Sequence, residues 1–207
     1  MLDHVNWLAF LIAMAAVELT PGPNMGWLAA LAAQKGKRAG MFAVAGITLG
    51  LAVQLLAAAT GLATLLASQP WLYETLRWAG VAFMLFLALE AWRDGGVAAT
   101  ARKHEMQGFR RGLIANLLNP KALVFYVVIV GQFAKESAGP VWQQIVALGL
   151  IHLAVAFTVH TAIVMAGYRL GERLDRYRAS PIVRGGFALT LAAIAIWIAI
   201  STGQPRA

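Results

Sequence analysis

Long apolar stretches, rather than strict alternation or a narrow amphipathic stripe, dominate the pattern of this chain. Six of them stand between short polar segments, at residues 7–33, 39–67, 71–92, 109–134, 141–167 and 182–201. Each reaches or exceeds the ~20 residues that carry a helix across a bilayer. Backbone in hydrocarbon must satisfy its own hydrogen bonds, so runs of this length predict helices. The first two are long enough to tilt or to contain breaks. The fourth is the least apolar, because it carries Arg110, Arg111, Asn116, Asn119 and Lys121. The pattern predicts an all-α membrane protein with six transmembrane helices.

Composition strengthens this reading. Of 207 residues, 60% are apolar and 13% charged, against about 25% charged in a soluble domain. Too few polar residues remain to cover a soluble surface, and a disordered chain is excluded as well. The net charge of +8 forms no patch on a soluble fold, so no nucleic-acid partner is expected; membrane lipid is. The absence of cysteine removes disulfides and thiolate metal sites. No cofactor or metal is expected, and no GxxxxGK loop is present to support a built-in ATPase. Residues 1–12 contain Asp3 but no Lys or Arg, which reads as mature protein rather than a signal peptide.

Charge placement sets the expected orientation. Lys35, Lys37 and Arg38 follow the first stretch. Arg93, Arg102, Lys103, Arg110 and Arg111 cluster after the third, and Arg169, Arg173, Arg176, Arg178 and Arg184 after the fifth. These thirteen of the 17 basic residues lie on one side of a six-span arrangement. Short basic loops stay cytoplasmic, so both termini are expected outside a bacterial inner membrane. Trp7, Trp71 and Trp142 fall at the predicted outer ends, where an aromatic belt belongs.

Two stretches carry breaks. The first contains Thr20, Pro21, Gly22, Pro23 and Asn24; the fourth contains Asn119, Pro120 and Lys121. Proline lacks a backbone donor and clashes with the preceding turn, so each helix should stop and restart near mid-membrane. Thr20 and Asn119 suit the capping position, with Pro21 and Pro120 at the first helical position. An odd number of spans separates the breaks, so the two halves, residues 1–108 and 109–207, are expected as inverted three-helix repeats. Paired broken helices in opposed halves point to a transporter binding site at the midplane. Restarted helices present free N–H groups suited to a carboxylate.

The ionisable residues inside the spans are few, and charge in hydrocarbon must face protein or water. Lys121 is expected to meet a substrate carboxylate. Glu18, one turn before the first break, meets an ammonium group, carries a proton or pairs with Lys121. His152 and His160 are either proton-coupling groups or hydrogen-bonded packing. Asn116 stacks on the same helix face as Asn119, and Gln54 lies mid-span in the second helix, so both join the expected substrate site. Gly46 and Gly50 have the spacing that lets helices approach closely.

At these residues the chain resembles the lysine exporter (LysE/RhtB) family of amino-acid exporters. The resemblance rests on Thr20 through Asn24, on Gly46 through Gly50, and on Gly112 through Ala122 with Gln132 and Phe133. It implies export of amino acids or close relatives, such as homoserine, its lactone or amines, driven by the membrane gradient. Phe83, Met84, Ala88 and Gly131 depart from the family pattern, which bears on the substrate. The expected activity is therefore not enzymatic: a secondary exporter of a small amino-acid-like substrate, with proton antiport and alternating access. A cation, metal-ion or amine exporter on the same scaffold is the alternative. A channel, a membrane enzyme and a scaffold subunit are weaker readings, and a homodimer is left open.

Overall fold

The computed structural model describes residues 2–19, 23–62, 68–93, 101–173 and 181–201. In these residues the chain is all helical. Helix α1 is Trp7–Leu19, α2 Pro23–Ala59, α3 Pro70–Arg93 and α4 Ala101–Leu117. Helix α5, Pro120–Val124, runs on as π-helical turns over Phe125–Val130. A 3-10 turn at Glu136–Ala138 leads to α6, Val141–Arg173, and α7 is Pro181–Ser201.

Among the described residues three helices are long and apolar enough to cross a membrane: Asn24–Ala59, Pro70–Glu90 and Val141–Arg173. Helices α4 and α5, bent by 55° at their junction, make a fourth if they form one span. Helix α1 is apolar but shorter. Helices occupy all six expected stretches, with shifted bounds. The first stretch is divided between α1 and α2: α2 is described from Pro23, and the expected restart at Thr20, Pro21 and Gly22 lies outside the described residues. In the second stretch α2 ends at Ala59, where Thr60 and Gly61 turn the chain, and residues 63–67 lie outside the described residues. The fourth begins sooner than expected, at Ala101.

As one straight helix α2 would be ~55 Å long, far more than the ~30 Å hydrocarbon core. It is not straight. Gly36 has φ 88° and ψ 173°, a conformation that residues with a Cβ avoid. Residues 23–35 therefore form the second part of the first stretch, and residues 37–59 a helix of their own.

Helix α2 is the centre of the packing. It lies along α4 on one side and α6 on the other, while α3 pairs with α7. Glycine permits this approach. A Cβ on Gly46 would sit 2.0 Å from the Phe109 carbonyl oxygen, and one on Gly112 2.3 Å from that of Ala43. Gly167 and Gly171 meet the Ala29 and Ala33 carbonyls in the same way. With so little to gain from apolar burial in lipid, backbone contact of this kind is what holds membrane helices together.

Polar side chains tie the ends. Gln144, fully buried, accepts from the Lys135 N–H at 3.0 Å and donates to the carbonyls of Lys135 and Gly139. Arg77 donates to the Ala199 carbonyl at 2.8 Å and to Glu74, joining α3 to the end of α7. Arg111 of α4 pairs with Glu90 of α3. Trp7, Trp71 and Trp142 are all exposed, as residues of an aromatic belt would be.

Glycine at the crossing of α2 and α4 is testable. Gly46→Ala should cost about 1–3 kcal/mol through overpacking and lower the Tm and folded yield in detergent. Gly131→Ala, in helix and with nothing within 4 Å of the new Cβ, should be neutral or stabilising by up to about 1 kcal/mol.

Candidate functional site

The site begins with a donor that proline cannot supply. In an unbroken helix residue 120 would donate to the Asn116 carbonyl; Pro120 has no N–H. Two groups take its place. The Asn119 N–H reaches the Asn116 carbonyl at 2.9 Å, and the side-chain amide of Gln54, from α2, donates to it at 3.2 Å. Asn119 then caps the new helix, its Oδ1 accepting from the Lys121 N–H at 3.1 Å. Pro120 occupies the first helical position as expected.

From the Asn116 backbone an amide relay extends inward. The carbonyl can only accept, so Gln54 must direct its Nε2 there. Gln54 Oε1 is left to accept from Asn116 Nδ2, at 3.4 Å. Asn116 Oδ1 is then left to accept from Asn24 Nδ2, at 3.0 Å. All three side chains are buried. Gly50 makes the space: a Cβ there would lie 2.9 Å from the Asn116 Cβ.

A chain of ionisable groups meets the same space. Glu18 Oε1 lies 2.9 Å from His152 Nε2, and His152 Nδ1 lies 3.0 Å from the Tyr126 hydroxyl. An ionised carboxylate only accepts, so with a neutral imidazole the Nε2 carries the proton and Nδ1 accepts from Tyr126. The Phe125 ring lies against His152, with centroids 4.0 Å apart. His160 and Lys121 are within electrostatic reach of Glu18.

Glu18, Asn24, Asn116, Asn119, Lys121, His152 and His160 line one cavity of about 30 Å³. That is room for about two waters and not for an amino acid. Two buried atoms beside it, Asn24 Oδ1 and His160 Nδ1, have no hydrogen-bond partner among the described residues. Gln54 does not line this cavity. It lines a second one of about 390 Å³, almost wholly apolar, with Leu72, Tyr73 and Leu76. The bonded Gln54–Asn116 pair stands between the two. Among the described residues no group of three His, Cys, Asp or Glu is placed to hold a metal ion.

The structure thus brings seven of the expected site residues to one cavity, with Gln54 one hydrogen bond behind them. Thr20, Pro21 and Gly22 lie outside the described residues; Pro23 and Pro120 each open a helix. Tyr126 and the π turn that carries it were not foreseen. Their only mark in the sequence is a Phe-Tyr pair within an apolar run. π turns often accompany functional sites.

The family model described as LysE type translocator matches residues 15–202. The chain belongs to this family. It is a membrane transport protein and not an enzyme. It is 31% identical over 183 residues to an uncharacterized membrane protein of Vibrio cholerae, covering 86% of each chain. It is 28% identical to a homoserine/homoserine lactone efflux protein of Salmonella typhimurium, over 84% of each chain. It is 30% identical to a leucine efflux protein of Klebsiella pneumoniae, over 79% of each. No solved structure matches it.

Tyr126→Phe tests the ionisable chain. It removes the donor to His152 Nδ1 and leaves a buried acceptor unpaired, which should cost about 1–3 kcal/mol, read as a lower Tm in detergent. His160→Phe breaks no hydrogen bond between described residues and should cost less.

Proposed function

We propose that this translocator exports amino acids or close derivatives from the cytoplasm in exchange for protons. The observation that carries this reading is the cavity at the two helix breaks. It gathers an ammonium group, a carboxylate and buried amides in an otherwise apolar interior. These are the partners a zwitterion needs, and isolated charges in hydrocarbon are too costly to keep without such a use. The efflux proteins of Salmonella and Klebsiella to which the chain is similar support the same substrate class.

In this reading Lys121, beside the restarted α5, takes the substrate carboxylate. The Glu18–His152–Tyr126 chain carries the coupling proton, because a carboxylate bonded to an imidazole can gain and lose one without leaving its place. The cavity is too small for substrate as it stands, so the surrounding helices must separate to admit it. Alternating access would do this in a six-helix body of two inverted repeats, residues 1–108 and 109–207. Both termini would lie outside the inner membrane.

Inverted vesicles with an acid lumen test the function. Wild type should accumulate one or more amino acids, and dissipating the pH gradient should stop it. Lys121→Met should abolish uptake while the protein still inserts. Glu18→Gln should lose gradient-driven accumulation yet retain exchange of labelled for unlabelled substrate. Accumulation of metal ions or simple amines instead would replace the reading with the cation or amine exporter.

Topology has a separate test. Single cysteines at Lys37 and Ser68 should label from opposite faces of intact cells. Labelling of both from outside would remove the inverted repeat.

A further inference from the structure

The amide relay has a direction, and the direction leaves one atom over. Pro120 removes the natural donor to the Asn116 carbonyl, and Gln54 Nε2 bonds there at 3.2 Å. Every later amide is thereby oriented, because each donor used at one bond leaves an oxygen for the next. The relay ends with Asn24 Nδ2 donating to Asn116 Oδ1 at 3.0 Å. Asn24 Oδ1 remains as an acceptor with no partner among the described residues, on a side chain 5% exposed that lines the cavity. A second buried atom without such a partner, His160 Nδ1, belongs to a residue lining the same cavity. Buried polar atoms in native proteins are paired with protein, water or ligand, and an acceptor such as Asn24 Oδ1 on the cavity wall is suited to a donor brought by a ligand.

We propose that Asn24 recognises the α-ammonium of the substrate. Its Oδ1 accepts an ammonium N–H, and Gln54 and Asn116 are positioning residues that keep the oxygen, not the NH2, turned to the cavity. The inference rests on the reading of this cavity as an amino-acid site and adds the group that selects amino acids over simple carboxylic acids. Glu18, bonded to His152 through Oε1, is given the coupling proton in that reading. Lys121 cannot accept from the ammonium, having only donors.

The test is a ratio of affinities within each protein. Homoserine and γ-hydroxybutyrate differ by the α-ammonium alone, as do leucine and isocaproate. Each is titrated against the purified, detergent-solubilised full chain and read as the ligand-induced rise in Tm. Wild type should bind the amino acid at least about tenfold more tightly, the scale of a hydrogen bond to a charged group. Asn24→Ala and Gln54→Leu should each bring the ratio to within about threefold of one. A merely structural role would weaken both ligands alike and leave the ratio unchanged, and folded yield does not enter it. Asn24→Asp, which keeps an oxygen toward the cavity, should retain the preference. A full tenfold preference in Asn24→Ala, or its loss in Asn24→Asp, overturns the inference and leaves the amino-acid reading standing. Failure of wild type to bind any of the four compounds overturns both.

Discussion

A missing hydrogen-bond donor at Pro120 organises the centre of this protein. The Asn116 carbonyl cannot be left bare in an apolar interior, where each unsatisfied polar group costs several kcal/mol. The Asn119 N–H takes one acceptor position of this carbonyl, and a side chain from another helix supplies a second donor. Gln54 provides it only because α2 lies against α4 with backbone in contact, an approach that Gly46 and Gly112 permit. Break, crossing and amide relay are thus one device. Without the proline, Gln54 would have no carbonyl to bind; without the glycines it could not reach.

The same economy governs the charges. A carboxylate, an ammonium and two imidazoles share one small cavity, and each is either bonded to or close to another. Glu18 and His152 come from parts of the chain 134 residues apart. Helix α1 ends where Glu18 can meet α6, and the π turns of Phe125–Val130 bring Tyr126 to the other side of the same imidazole. Away from this cavity, Arg77, Gln144 and the Glu90–Arg111 pair are each bonded to another part of the chain.

Much of this was legible in the sequence. Apolar runs fix helices because hydrocarbon leaves the backbone no other solution, and Asn119-Pro120 marks a cap and a break by local chemistry alone. The clustering of Lys121, Glu18, Asn24 and Asn116 followed from placing two breaks at one depth. Three things were not readable. A connecting segment was expected at residues 34–38, but not that Gly36 alone, with φ 88°, would interrupt otherwise continuous helix there. The bond between Glu18 and His152 depends on the rotation of two helices about their axes, which hydropathy does not encode. The π turns carry no residue signature, since valine and isoleucine fit them and an α-helix alike.

The π turns set the phase of everything they join. One α-helical residue advances the helix by about 100°, and a π turn takes in one residue more than an α turn for a similar advance along the axis. Residues 125–130 therefore act as a vernier between two fixed points. Upstream, the Asn119 cap fixes the azimuth of Lys121; downstream, Phe133 is held by the Phe10 ring and by His4, which bonds its carbonyl. With both ends pinned, the count of residues between them is as constrained as their identity. A chain one residue shorter here could keep either Lys121 at the cavity or Phe133 in its socket, but not both.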